Sequence, residues 1–260
     1  MIDINKTTEN ITKTIRNFMA AEEYSYGNGY LQKATAEVKI LGTLLLIFLA
    51  ISSRNFAFPL ILFIFAVFLA LASRISPMAY ISRIYIMPLF SVIIVLPLAF
   101  AGGDGIYGIS VSKEGMEYVA LFALRVMASV ACISLLLFTT RFSSILSALR
   151  RMHVPPTLIN VMAIVYRYLF TFLTQLNDML MGRRSRMIEM KRSLRGASNF
   201  AGNFMSRILF KSDAVHMAMR ARGFDGGMKA FSKKFEWNLP TISYSIMVVA
   251  MVLLWILIEL

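Results

Sequence analysis

The sequence predicts an all-α integral membrane protein of about five transmembrane helices attached to a cytoplasmic module of long helices. Three observations point there. The 260 residues are 58% hydrophobic and only 16% charged, whereas a soluble domain is about half apolar and about a quarter charged. The apolar residues are gathered into blocks close to the roughly 20 residues that cross about 30 Å of hydrocarbon. No strand alternation, internal repeat or low-complexity tract competes with a helical reading.

Residues 1–37 open the chain as a cytoplasmic segment. Within it, Ile11, Ile15, Phe18 and Met19 share one helical face, as in a short helix lying on a membrane or packed on protein. The segment lacks the apolar core of a cleavable signal peptide. Four spanning candidates follow within residues 38–140: Val38–Ser53, Phe56–Ala72, Ile81–Ala101 and Tyr118–Thr139. The third contains Pro88 and Pro97, so two kinks are expected. Residues 238–260 supply the last span, Pro240–Leu260, with Asn238 as a candidate cap and Pro240 in the first turn.

Residues 141–237 form the expected cytoplasmic module. Phe142–Met152 reads as a short amphipathic helix stopped by His-Val-Pro-Pro. A second helix starts at Pro156 and extends to about Met190. Gly196 and Gly202 mark a break, and Ile208–Gly223 reads as a third helix closed by its glycine. The 156–177 stretch is apolar enough to suggest a sixth span. Arg167, Thr171, Thr174, Gln175 and Asn177 interrupt it, and an amphipathic helix at the membrane face fits better.

Charge placement sets the orientation. The net charge is +13. Residues 1–39 balance five Lys/Arg against five Asp/Glu, while 141–237 carry seventeen Lys/Arg against five acids, netting +12. The short loop with Arg74 and Arg83 is basic, and the Gly102–Gly115 loop is acidic. These agree with a cytoplasmic N-terminus under the positive-inside rule, and a sixth span at 156–177 would break the agreement.

The side chains of an enzyme or metal site are not grouped in the sequence. His153 and His216 are far apart, no phosphate-binding glycine loop is present, and no apolar helix carries paired carboxylates. The lone Cys132 cannot form an internal disulfide and reads as a small buried hydrophobe. No catalytic residue, metal ligand or cofactor is expected. Arg125, about two turns into the fourth span, is the exception to the apolar pattern. Either it has a function or partner at membrane depth, or it snorkels to the outer interface.

Two basic clusters carry the strongest local signal. One is Met181-Gly182-Arg183-Arg184-Ser185-Arg186-Met187; the other is Ala218-Met219-Arg220-Ala221-Arg222-Gly223-Phe224-Asp225-Gly226. Each sets arginine near a helix end among small residues. Small residues allow close approach, and the guanidinium fork fits a carboxylate in two-point contact. Such a helix could dock in a partner's groove, or form a basic face near anionic lipid.

The second cluster resembles the Ala-Arg-Gly signature of the transmembrane (T) components of energy-coupling factor transporters, most closely the CbiQ branch for cobalt or nickel. Arg184-Ser185-Arg186 sits where the first signature belongs. Gly29–Lys39 and Ala21-Glu22-Glu23 also resemble CbiQ members, although Ala-Thr-Ala-Glu stands where the family has a proline. Met187 stands where the first signature has Gly or Ser, so Arg184 and Arg186 both remain candidates, with Arg186 favoured by the pattern.

The resemblance implies a non-enzymatic scaffold of an ABC-type importer in a prokaryotic cell membrane. Two cytoplasmic ATPases would each receive one coupling helix at Arg186 and Arg222, supported by Arg184, Ser185, Ala221 and Gly223. A separate substrate-binding subunit of CbiM type would carry the cargo. Membrane lipid is the other expected partner, and nucleic acid is not. The alternatives are a permease binding its own substrate in the spans, a T component for a vitamin, a basic module anchored to the membrane, and an intramembrane enzyme.

Overall fold

The computed structural model describes residues 29–100, 113–186, 194–224 and 238–260. Every regular element among them is helical. After a 3-10 turn at Leu31–Lys33 come α1 (Ala36–Ser52), α2 (Ala57–Ala72), α3 (Pro77–Phe100) and α4 (Lys113–Thr139). Then follow α5 (Phe142–Arg151), α6 (Pro156–Arg186), α7 (Leu194–Ala221) and α8 (Leu239–Glu259). The chain forms two compact units. One holds α1–α4, most of α5, and α8; the other holds the end of α5 with α6 and α7.

In the first unit α4 packs against α1, α2 and α3, and α8 packs against α1 and α2. Their buried faces recur at helical spacing: Leu46, Leu49 and Ala50 on α1; Phe58, Leu62, Ala66 and Leu69 on α2; Ala128, Ala131, Cys132, Leu135 and Phe138 on α4; Tyr244, Val248 and Met251 on α8. The small Ala128, Ala131 and Cys132 let helices come close where no aqueous hydrophobic effect drives them together. Tyr80 on α3 donates to the Ala131 carbonyl at 2.8 Å. Large apolar side chains point away instead, among them Phe48, Ile51, Ile64, Phe68 and Leu71. A water-soluble surface rarely exposes such a patch; for a lipid-facing one it is ordinary.

Gly42 sits where α1 and α8 approach closely. A Cβ built there would lie 2.9 Å from the Tyr244 ring and 3.1 Å from Val248 Cγ2.

Several boundaries differ from the sequence expectation. α3 begins at Pro77, four residues before Ile81, because proline suits the first helical turn. It continues through Pro88 and Pro97, and the Ser91 hydroxyl donates to the Pro88 carbonyl at 2.8 Å. Asn238 occupies the N-cap of α8 but its side chain makes no capping bond; its carbonyl accepts from Thr241 N at 2.8 Å instead. Gly196 and Gly202 do not break a helix. Both lie inside α7, which starts 14 residues before Ile208. A mid-helix glycine costs only about 1 kcal/mol relative to alanine, and the flanking Ala, Leu, Met and Arg residues outweigh it. The 7–21 face, the Gly102–Gly105 turn and residues 187–190 lie outside the described residues.

Among the described residues four helical segments are long and apolar enough to cross a membrane: Tyr80–Pro97, Gly115–Thr139, Pro156–Arg183 and Leu239–Glu259. α1 and α2 have 17 and 16 residues. At 1.5 Å per residue each spans roughly 25 Å, short of the hydrocarbon layer. The tally thus departs from the five expected: α1 and α2 fall short by length, and α6 satisfies length and apolarity. The loop-charge rule and helix length disagree on α6, which clusters with α7 and not with the bundle.

Gly42→Ala is expected to force α1 and α8 apart and to destabilise the bundle by about 1–3 kcal/mol, as overpacking does. Thermal unfolding of the purified protein in detergent measures it.

Candidate functional site

Met181–Arg186 of the first basic cluster lie at the end of α6. Cations suit a helix C-terminus, where unpaired carbonyls concentrate negative partial charge. The exposed Ser185 hydroxyl turns back to the Met181 carbonyl at 3.1 Å, a local bond typical of mid-helix serine. Arg184 and Arg186 are two positions apart at this end of the helix. Between them and the helix body stands Arg183, whose guanidinium lies 5.7 Å from the Phe200 ring centroid on α7. This cation–π contact joins the end of α6 to the early part of α7.

The second cluster ends α7 in a complete Schellman motif. Phe224 N donates to the Met219 carbonyl at 3.0 Å, and Gly223 N donates to the Arg220 carbonyl at 2.9 Å. The motif needs a left-handed residue, and Gly223 supplies it with φ +78°. Arg222 is therefore the C-cap, just past the helical residues, and not a member of the helix. Ala221, Arg222 and Gly223 are all exposed. His216 and Asp213 are exposed on the same helix.

Within the second unit, the end of α5 is closed the same way. His153, in the left-handed region at φ 62°, closes α5, and Val154 N reaches back to the Leu149 carbonyl at 3.2 Å. Arg150 Nη2 donates to Asn160 Oδ1 on α6 at 3.3 Å.

Arg125 is half-buried, and its Nη2 donates to the Ser53 carbonyl at the end of α1. Nearby in the chain, Arg54 N donates to Glu259 Oε1 at 2.6 Å and Asn55 Nδ2 to the Ile258 carbonyl at 3.0 Å. The α1–α2 turn thus receives Arg125 and holds the end of α8.

Sequence reasoning missed Lys39. It lies in the first turn of α1, is 3% exposed, and donates from Nζ to the Leu31 and Thr139 carbonyls, both at 3.0 Å. The lead-in segment around it is tied down at three further points. Thr35 N donates to Thr241 Oγ1 at 3.1 Å, Gln32 Nε2 to the Ser73 carbonyl at 3.2 Å, and Tyr30 bonds the Ser243 hydroxyl. The available signal was a lysine one residue inside an apolar run. Among the described residues no three His, Cys, Asp or Glu side chains converge.

Residues 27–232 match the CbiQ family, described as cobalt transport protein. The chain belongs to the CbiQ family. It is similar to an uncharacterized protein of Methanocaldococcus jannaschii, 27% identical over 267 residues, spanning 96% of this chain and 91% of that one. A fused cobalt transport protein, CbiMQ, of Methanocorpusculum labreanum is 27% identical over 213 residues, covering 76% of this chain and 35% of its own. The cobalt transport protein CbiQ of Rhodobacter capsulatus is 26% identical over 129 residues, covering 49% of this chain and 53% of its own. The CbiQ match takes in the lead-in segment, α1–α7 and both arginine clusters. With its apolar helices, the chain is a multi-pass membrane component of cobalt transport.

Gly223→Ala is expected to weaken the α7 cap by about 1 kcal/mol, seen as faster amide hydrogen exchange at residues 223 and 224. Arg125→Met is expected to cost roughly 1.5–3 kcal/mol, the worth of a hydrogen bond to a charged group; its thermal midpoint falls while cobalt uptake per folded molecule is retained.

Proposed function

We propose that this chain is the T component of an energy-coupling factor importer, the scaffold that carries motion from two cytoplasmic ATPases to a separate cobalt-binding membrane subunit. The observation that carries this reading is the end of α7. The Schellman motif uses every local backbone donor to close the helix and leaves the Arg222 side chain exposed at the tip. A helix ending in the exposed Arg222, flanked by Ala221 and Gly223 and with Arg220 exposed in the last turn, suits a narrow acidic groove. Arg186, with Arg184 and Ser185 beside it, gives α6 a second tip of the same composition. Two tips match two ATPases.

In this reading, nucleotide-driven closure of the ATPases moves the two tips. α6 and α7 transmit the displacement through α5 to the bundle. The N-terminus and the α5–α7 region are cytoplasmic, with α6 against the membrane face. Cargo recognition belongs to the partner. Both histidines of this chain are exposed and far apart in sequence, and a cobalt site needs clustered nitrogen, sulfur or oxygen donors. The fused CbiMQ relative supports a partner of CbiM type. Against a permease binding its own substrate, Arg125 in α4 is already engaged with the Ser53 carbonyl.

Co-purification tests the reading directly: two ATPase subunits are expected with the wild-type chain. Arg222→Ala is expected to weaken ATPase binding by about 2 kcal/mol, roughly 30-fold, as loss of an interface hot spot does, and ATP-driven cobalt uptake falls with it. Arg186→Glu or Arg222→Glu releases the ATPases while the protein stays in the membrane. Capture of no ATPase by the wild-type chain, or labelling of a cysteine at position 222 only from outside the cell, sinks the proposal.

A further inference from the structure

Lys39 is the buried cation that the coupling reading leaves without a role. Removing a charge from water costs several kcal/mol unless hydrogen bonds compensate. Here the compensation comes from two backbone carbonyls: Thr139, at the C-terminal end of α4, and Leu31, in the 3-10 turn, which also accepts from Ala34 N. The last carbonyls of a helix have no partner within it and carry the negative end of its dipole. A lysine ammonium, with three donors and full charge, satisfies both at once.

The position of Thr139 gives this bond its significance. It is the last residue of α4, and three residues later α5 begins. Displacement arriving through α5 therefore reaches α4 at residues 139–142. The Thr139 hydroxyl also bonds the Leu135 carbonyl at 2.8 Å, so this last turn is held from inside the helix and from Lys39. The lead-in segment on the other side of Lys39 is itself fastened to the end of α2 at Ser73 and to the start of α8 at Thr241 and Ser243.

We propose that Lys39 is a positioning residue for coupling: its ammonium pins the α4–α5 junction to the lead-in segment, so that α1, α2, α4 and α8 receive displacement as one body. The proposal rests on the reading of the chain as a coupling subunit, but the pinning itself is testable on this chain alone.

Spin labels at K33C and S143C, both exposed positions in the bundle unit, report the junction in the full chain in lipid nanodiscs. A single narrow distance distribution is expected for Lys39, broadening about twofold or more in K39M, which removes both charge-assisted bonds. K39R, which keeps the cation, stays close to the parent. K39Q, a neutral donor, is measured in parallel and broadens as K39M does, so the decision does not depend on one variant folding. In vesicles containing the assembled transporter, K39M retains its ATPases and hydrolyses ATP within about twofold of the parent. It moves at least about 10-fold fewer Co2+ ions per ATP, and K39R recovers most of that ratio. A distance distribution unchanged in the neutral variants, or a normal Co2+ to ATP ratio in K39M, overturns the Lys39 proposal. Absence of ATPases from the unsubstituted complex overturns the coupling reading instead, and the distance measurement still decides whether Lys39 pins the junction.

Discussion

A carbonyl at the end of a membrane helix has little water to turn to, so its donor must come from the protein. In this chain the side chain of Lys39 fulfils that need for α4, the helix on which α1, α2 and α3 all pack. The opposite end of the bundle obeys the same constraint with other residues. Arg125 serves the end of α1 at Ser53, while Arg54 and Asn55 hold the end of α8. Between these polar ends the contacts are apolar and close, with Ala128, Ala131, Cys132 and Gly42 keeping helices near one another. Polar ties at the two ends and small residues in the middle therefore define the unit.

The helical, membrane-embedded character was legible in the sequence because it depends on composition and block length, which are local. Boundaries were less legible. Gly196 and Gly202 looked like a stop because glycine is a poor helix former, but two such residues among good ones do not outweigh a 28-residue helix. Helix α6 shows the limit of single rules. Its apolar run satisfies the length of a span, and its polar interruptions and the charge downstream argue for the surface.

Of the site, the end of α7 was the most legible part. A glycine after the last periodic residue is a sequence signal for a left-handed cap, and Gly223 adopts that conformation. The partners of the buried cations were not legible. Arg125 and Lys39 find theirs 72 and 100 residues away, and no spacing rule reaches that far. Arg183 was visible as charge, but its contact with Phe200 depends on how α6 returns into α7.

The length of α7 has a mechanical consequence. Its 28 residues make a rod about 42 Å long at 1.5 Å per residue. Tilting such a rod by about 10° sweeps its far end through roughly 7 Å, by the same geometry. The contact between Arg183 and Phe200 sits near the other end, so by geometry a displacement at Arg222 reaches it as movement through a smaller arc. α7 has the proportions of a lever.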